Sequence, residues 1–565
     1  MSHRLADGGR LIDRTRPLTF SFNGRQMRGF KGDTVAAALL GEGQVLVGRS
    51  FKYHRPRGIV TSGPEEPNAL LGIGADKTFE PNARATTTEL FDGLEAQSQN
   101  HWPSLEFDIG AVNSKLWRFF PAGFYYKTFL WPRSFWKHVY EPVIRQSAGL
   151  GKPPKARDAD HYEHFHAHVD VLVIGGGIAG LTAAKASAEA GADVLLIEQS
   201  AHWGGRAPVD GAVIDGKPAA DWVTETVASL EEMPNVHLRS RTIGSGVYDH
   251  GYTLLDERVT DHAPDASVPR HRLWKVRAAQ IVTATGAIER PLSFAGNDVP
   301  GVMLASAVRD YVVNYGIAPG ERTVILTNND DGYRTAKVLH EAGLKVPAVL
   351  DARPEATGAL PEEVRALGIR VLEGKGLAGV DGSKSVGRVY VCDQSGKGDV
   401  LEEIDCDCVA MSGGWSPVVH LWSHCGGKLN WDETRSHFAP DPKRVPTGAD
   451  GKAFVQTAGV ASGVVTTASV LRDAHKAGAA AAAAVGHAET TKAPSAEDET
   501  VQQIAPIWKM PANATYKLKS KAWLDYQNDV KVTDVELAAQ EGFESVEHAK
   551  RYTTLGMATD QGKLS

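Results

Sequence analysis

Residues Val169–Glu198 read VDVLVIGGGIAGLTAAKASAEAGADVLLIE, and this stretch constrains the fold more narrowly than any other in the chain. The apolar run Val171–Ile174 predicts a buried parallel strand that leads into Gly175-Gly176-Gly177-Ile178-Ala179-Gly180. An alanine-rich helix follows, and then a second apolar run, Val194–Ile197, that ends on Glu198. Strand, glycine turn, helix, strand and terminal acid together make a dinucleotide-binding unit. Gly175 permits the tight turn, Gly177 lets backbone approach a pyrophosphate, and Gly180 lets helix and strand pack closely. The helix start offers N–H groups and a positive dipole end to phosphates, and Glu198 stands where a ribose would donate to it.

Two later pieces follow in the order expected of a two-dinucleotide-binding flavoprotein. The strand Ile281–Ala284 ends in Ala-Thr-Gly, with Thr285 and Gly286 at the turn. A late glycine turn, Ala458-Gly459-Val460-Ala461-Ser462-Gly463, precedes Thr466 and another alanine-rich helix. Gly204-Gly205-Arg206 fits a loop over the adenosine, with Arg206 either near phosphate or ribose or a plain surface cation. A second strand–turn–helix unit, Thr323–Thr327 through Asn328–Tyr333, keeps only Gly332 of a phosphate loop. Asn328 and the carboxylates of Asp330 and Asp331 would crowd or repel a pyrophosphate, so that unit is expected to be structural, or at most a weak site.

The net charge of -7 argues against nucleic acid as the main partner. No apolar run reaches membrane-spanning length and the N-terminus lacks a signal-type h-region, so a cytoplasmic protein without a membrane is expected. The four cysteines, Cys392, Cys406, Cys408 and Cys425, make no disulfide framework and read as small buried thiols. His161, His164, His166 and His168 lack a matching carboxylate or thiol cluster, so a solvated or partner-facing segment is expected and a metal is not. No nucleophile–base pair stands out, and no catalytic residue is assigned.

The expected fold class is α/β, with two Rossmann domains of the disulfide-reductase type. Residues 1–100 form a ferredoxin-like β-grasp module and 101–167 an aromatic-rich connector. Residues 168–290 and 405–488 form the nucleotide domain, and 291–404 a degenerate Rossmann domain. Residues 489–510 are a linker, and 511–565 a small helical module whose helix carries capping-box spacing at Thr533–Glu536. Asn23-Gly24 predicts a hairpin turn and Asp33–Leu40 a short capped helix. Thirteen aromatics fall within Trp102–Tyr140, predicting rings packed on neighbouring domains or a partner subunit. That segment and the basic loop 52–57 are the expected contact surfaces.

Three long stretches carry a family resemblance: Phe51–Gly72 (FKYHRPRGIVTSGPEEPNALLG), Ala287–Gly301 (AIERPLSFAGNDVPG) and Trp523–Lys563. From near residue 10 to its end, the chain resembles the alpha subunits of heterotetrameric sarcosine oxidases. The wider family includes subunits of N-methylglutamate dehydrogenase, opine or amino-acid dehydrogenase and hydrogen cyanide synthase. The resemblance implies tightly bound NAD, FMN at the interface with a beta subunit and FAD within that subunit. It also implies beta, gamma and delta partners. Gly175, Gly177, Ala179, Gly180, Glu198, Gln199, Arg206, Thr285, Gly286, Ala458, Gly459 and Thr466 would line the NAD. The implied reaction demethylates sarcosine oxidatively, reduces O2 to H2O2 and passes the one-carbon unit to tetrahydrofolate. A subunit of N-methylglutamate dehydrogenase and a self-contained FAD/NAD(P)H reductase are the alternatives. In cluster-bearing relatives the N-terminal module carries cysteines where this chain has Ile59–Gly63, so no iron–sulfur cluster is expected. Family alpha subunits continue into a folate-binding domain, which these residues do not contain.

Overall fold

A computed structural model describes residues 3–148, 151–265, 267–488, 492–500 and 504–565. The chain divides into two compact units: Met1–Ala159, Glu289–Gly414 and Ile504–Ser565 form one, and Asp160–Ile288 with Trp415–Gln503 the other.

The second of these is built on a sheet ordered Val236–Arg239, Val194–Ile197, Tyr162–Ile174, His271–Thr283, Tyr252–Arg258, Thr242–Val247. Val455–Thr457 also pairs with His271–Thr283. The apolar strands pair in parallel, and Ile174, Ile197, Thr283 and Thr457 end in register. Helix Ile178–Glu189 packs against helix Thr467–Ala484 so closely that a Cβ on Gly478 would lie 2.2 Å from the Ala183 carbonyl oxygen. The alanines on both helices permit that approach and fill one core with Val171, Val173, Val194 and Leu196. The first strand is longer than its apolar run: it begins at Tyr162 and takes in the histidine segment. Paired residue for residue with His271–Ala278, that polar stretch gains its ladder from a neighbour invisible to local sequence.

The other unit carries three parts. The hairpin of Asp13–Phe22 and Arg25–Lys31 turns at Asn23 and Gly24, both at positive φ. It belongs to a five-stranded sheet with Leu70–Ile73, Glu80–Arg84 and Glu95–Gln97. Helix Val35–Gly41 lies alongside, with Thr34 as its cap. A parallel sheet of Val302–Leu304, Cys408–Ser412, Thr323–Thr327, Val349–Asp351 and Val371–Glu373 forms the second part. Cys408–Ser412 is interior to that sheet, so the return to the nucleotide domain falls at 415 and the expected boundary at 405 is corrected. In the C-terminal part a short helix, Tyr516–Lys519, and a hairpin of Trp523–Asp525 and Val530–Lys531 precede the helices Val532–Gln540 and Val546–Thr553. Its capping box sits two residues earlier than the sequence suggests: the Asp534 carboxylate accepts from the Lys531 backbone N–H at 3.0 Å.

Much of the basic loop 52–57 is engaged within its own unit. The Arg57 side chain is 2% exposed and pairs with both Asp298 and Asp529. Arg55 also pairs with Asp298. Asp529 further accepts from the Tyr53 N–H at 2.9 Å, so one guanidinium stitches three distant stretches of chain together. The aromatic segment only partly meets the expectation of packed rings. Phe124 is buried, whereas Trp102, Phe107, Phe119 and Trp131 stand 64–82% exposed. Of the expected linker, 489–491 and 501–503 lie outside the described residues. Ser495 is tied to the hairpin at Asp215, whose carboxylate accepts from its N–H and hydroxyl. No helix of the described residues is long and apolar enough to cross a membrane.

Candidate nucleotide site

Four strand ends lie side by side at one edge of the parallel sheet, and the loops leaving three of them converge. Gly175 has φ +108, and a Cβ there would sit 2.4 Å from the Ala284 carbonyl oxygen; only glycine takes that backbone at that separation. A Cβ on Gly180 would lie 1.7 Å from the Gly175 oxygen, so the helix can start this close to the strand only without a side chain. Gly177 differs. The nearest atom to its absent Cβ is the Gly205 Cα at 3.9 Å, an ordinary contact distance, so no clash fixes glycine here at the start of a twelve-residue helix. Such a helix start, with glycine at its cap, is suited to phosphate.

Glu198 follows the next strand end, nearly buried. One of its oxygens accepts from the Gly176 N–H at 2.7 Å and the other from the Ser200 N–H at 2.8 Å. Burial holds the carboxyl above its usual range while the N–H groups of Ser200 and Gly176 pull it down. The loop after Glu198 folds back over the turn: Gly204 donates to the Gly176 oxygen at 2.8 Å, and Trp203 packs where a Cβ of Gly176 would project.

The Ala-Thr-Gly turn closes one side. Ala284 donates to the Ile174 oxygen at 2.8 Å, Thr285 donates to the Val418 oxygen at 2.7 Å, and Gly286 continues at φ +70. The late turn closes the other. Ala458 is fully buried, and a Cβ on Gly459 would lie 2.6 Å from the Cβ of Ala179. Early and late glycine motifs are therefore in direct contact. Asp473, which sequence reasoning missed, fixes the late turn: one oxygen accepts from the Gly459 N–H at 2.8 Å and the Ser462 hydroxyl at 2.7 Å. Its only local signal is an acid inside an otherwise alanine-rich helix.

Three expected residues are engaged elsewhere. Arg206 pairs with Asp210 at 3.2 Å and stacks 5.2 Å from the Trp415 ring. Thr466 caps its helix, accepting from Ser469 at 3.3 Å. The Gln199 side chain is exposed, and its carbonyl accepts from Arg258 at 2.7 Å.

In the other unit, the corresponding crevice is filled by the protein itself. The Asn328 amide donates to the oxygens of Ala505 at 3.0 Å and Ile507 at 2.9 Å. Asp351, the counterpart of Glu198, is taken up by Arg353 at 2.7 Å and the Tyr333 hydroxyl at 2.7 Å.

Fold and site define the class first. Residues 169–435 match the family described as pyridine nucleotide-disulphide oxidoreductase. Over 98% of this chain and 90% of the other, the fold is similar to L-proline dehydrogenase from P. horikoshii, with TM-score 0.66 and 20% identity. More particularly, the chain is similar along its whole length to sarcosine oxidase alpha subunits, and residues 519–565 match the sarcosine oxidase A3 domain. It is 46% identical to the subunit of Rhizobium meliloti (strain 1021), covering 100% of this chain and 55% of that one. It is 36% identical to that of Corynebacterium sp. (strain P-1), covering 98% and 53%. The chain thus spans about half the length of these curated relatives.

One expectation is corrected here. Residues 15–101 match the 2Fe-2S iron-sulfur cluster binding domain, which overturns the expectation of a chain without an iron–sulfur cluster. That expectation rested on thiols: the matched residues contain no cysteine. The four sulfurs lie later as free thiols, with burial pushing Cys392 and Cys425 up to about 11 and Cys406 to about 12. The donor set within 15–101 does not fit thiolate ligation.

Proposed function

We propose that this chain is the NAD-holding, alpha-type subunit of a sarcosine oxidase complex, with amine oxidation performed at flavin on a partner subunit. The observation that carries the reading is the likeness to two curated alpha subunits along the full chain, joined to a crevice whose donors suit a dinucleotide. When bound, NAD supplies a nicotinamide able to accept or release hydride. Gly177 and the first N–H groups of helix Ile178–Glu189 hold the pyrophosphate, and the Glu198 carboxylate accepts from the adenosine ribose. The same carboxylate repels a 2′-phosphate, so NAD is selected over NADP. Ala179 and Gly459 close the floor, Thr285 and Gly286 hold the far side, and Gly204–Gly205 cover the phosphates and exclude water. Ala458, fully buried, backs the late turn, while Arg206, Gln199 and Thr466 are engaged elsewhere and are given no direct part. The products proposed for the whole complex are glycine, H2O2 and a one-carbon unit on tetrahydrofolate, with beta, gamma and delta chains as partners.

Co-expression with flavin-bearing partner chains tests the reading. Sarcosine-dependent H2O2 formation should require the assembled complex, and the chain alone should not turn over NADH with an artificial acceptor. NADH turnover by the isolated chain would favour a self-contained reductase instead.

A further inference from the structure

The long first strand of the nucleotide-binding unit has an open side. Val194–Ile197 pairs with it only along Val171–Ile174, while His271–Ala278 pairs with Tyr162–Val169 from the other side. Among the described residues no strand pairs with the remaining edge of Glu163–Val169. His164, Phe165, His166 and His168 are exposed along it. An unpaired edge of this length presents a row of backbone donors and acceptors, and proteins ordinarily blunt such edges with proline, lysine or a bulge. The opposite edge of the same sheet, Thr242–Val247, is blunted: its register shifts between Gly244 and Gly246. Tyr162–Val169 has no proline, no lysine and no bulge, and its register with His271–Ala278 runs unbroken.

The two faces of this edge differ in chemistry. Alternation puts Glu163, Phe165 and Ala167 on one face, where the Phe165 ring stacks 4.8 Å from Trp274, Arg239 lies 4.0 Å from the Trp274 ring, and Arg272 pairs with Glu163 at 3.1 Å. That face is internally satisfied. The other carries Tyr162, His164, His166 and His168 beside His271, Lys275 and Arg277. The Tyr162–His271 ring contact at 6.0 Å confirms that these residues share a side. One strand further on lie Arg258 and Asp256. Asp256 and the nearby Asp261 both pair with His271, leaving the face cationic in balance.

We propose that the edge Glu163–Val169 is a strand-addition site for an extended, acidic segment of another polypeptide. Backbone pairing supplies affinity, and alternate carboxylate side chains of the incoming segment face His164, His166 and His168. Lys275 and Arg277 stand one strand further, about 10 Å from the added strand, a separation equal to the screening length at about 0.1 M salt, so their attraction strengthens as salt is lowered. A second copy of this chain is disfavoured as occupant, because antiparallel self-pairing sets the imidazole ladder and its cationic neighbours against themselves. The inference is independent of the nucleotide and of the reaction assigned to the complex.

Hydrogen exchange of the intact chain, followed over residues 162–170 by mass spectrometry, tests this with synthetic peptides. The acidic probe is acetyl-(Glu-Val)5-amide and the basic control acetyl-(Lys-Val)5-amide. A third peptide is the acidic one N-methylated at each valine, which keeps its charge and loses one backbone edge. The expected result is exchange slowed about tenfold over 162–170 by the acidic peptide only. The double variant His164→Glu/His166→Glu, altered only at exposed side chains, should transfer the preference to the basic peptide. Protection that is absent, equal with the basic peptide, retained on N-methylation or unchanged in the double variant would overturn the proposal. So would concentration-dependent protection without peptide, which would make a second copy the occupant.

Discussion

At the scale of single residues, glycines of one motif do separable jobs. The Cβ of a Gly180→Ala variant would collide with the Gly175 oxygen at 1.7 Å, so that variant should lose both thermal stability and co-purified nucleotide. The Cβ of Gly177→Ala would meet the Gly205 Cα at an ordinary 3.9 Å and otherwise crowd only ligand. It should melt with the parent and bind NAD at least about tenfold more weakly, a loss of ~1.4 kcal/mol or more. Calorimetric titration showing parental affinity for Gly177→Ala would remove the phosphate role from this turn. Glu198→Gln keeps one acceptor oxygen but sets an amide against the N–H groups of Gly176 and Ser200. NAD affinity should fall about tenfold while the penalty against NADP narrows, again ~1.4 kcal/mol. These positions were legible in the sequence because turn, helix start and acid are consecutive. Asp473 was not, because what it holds, Gly459, lies fourteen residues away across a helix start.

At the scale of elements, long-range partners decided what local sequence misread. Lys52–Arg57 reads as a basic surface loop because its counter-charges stand at Asp298 and Asp529, hundreds of residues distant. With both carboxylates essentially buried, Arg57→Ala leaves Asp529 without its cation and Asp298 with Arg55 alone, and should destabilise the fold by about 3 kcal/mol in urea titration. A loss below about 1 kcal/mol would show that the pairing contributes little. The histidine stretch was read as a segment outside the sheet because its period-two pattern is polar, and its partner strand begins a hundred residues later at His271. His271 itself sits between Asp256 and Asp261; burial lowers its pKa, but the two carboxylates outweigh that and lift it to about 9. A histidine raised in the folded state contributes stability that is fully present below about pH 6.5 and lost as pH rises through about 9. An NMR titration should show this, and Asp261→Asn should bring the midpoint down. A midpoint near 6.5 in the unaltered chain would contradict the pairing.

At the scale of the whole molecule, two Rossmann units arose from one sequence pattern and only the first keeps an open turn. Asn328, bonded to Ala505 and Ile507, and Asp351, held by Arg353, fill the second crevice with the chain's own groups. The degenerate loop was legible, since Asn328 and Asp330 stand where glycines would. The segment that covers it was not, because residues 504–508 carry no motif. The chain should therefore hold one nucleotide, and Asn328→Gly should not create a second site; stoichiometry by equilibrium titration checks this, with two equivalents counting against it. The most direct test of the account is to denature the purified chain and identify what it releases by absorbance and mass spectrometry. About one NAD per chain is the predicted result, falling away in Gly177→Ala. Release of FAD from the parent chain, or NAD retained undiminished in that variant, would contradict the assignment of the first glycine turn.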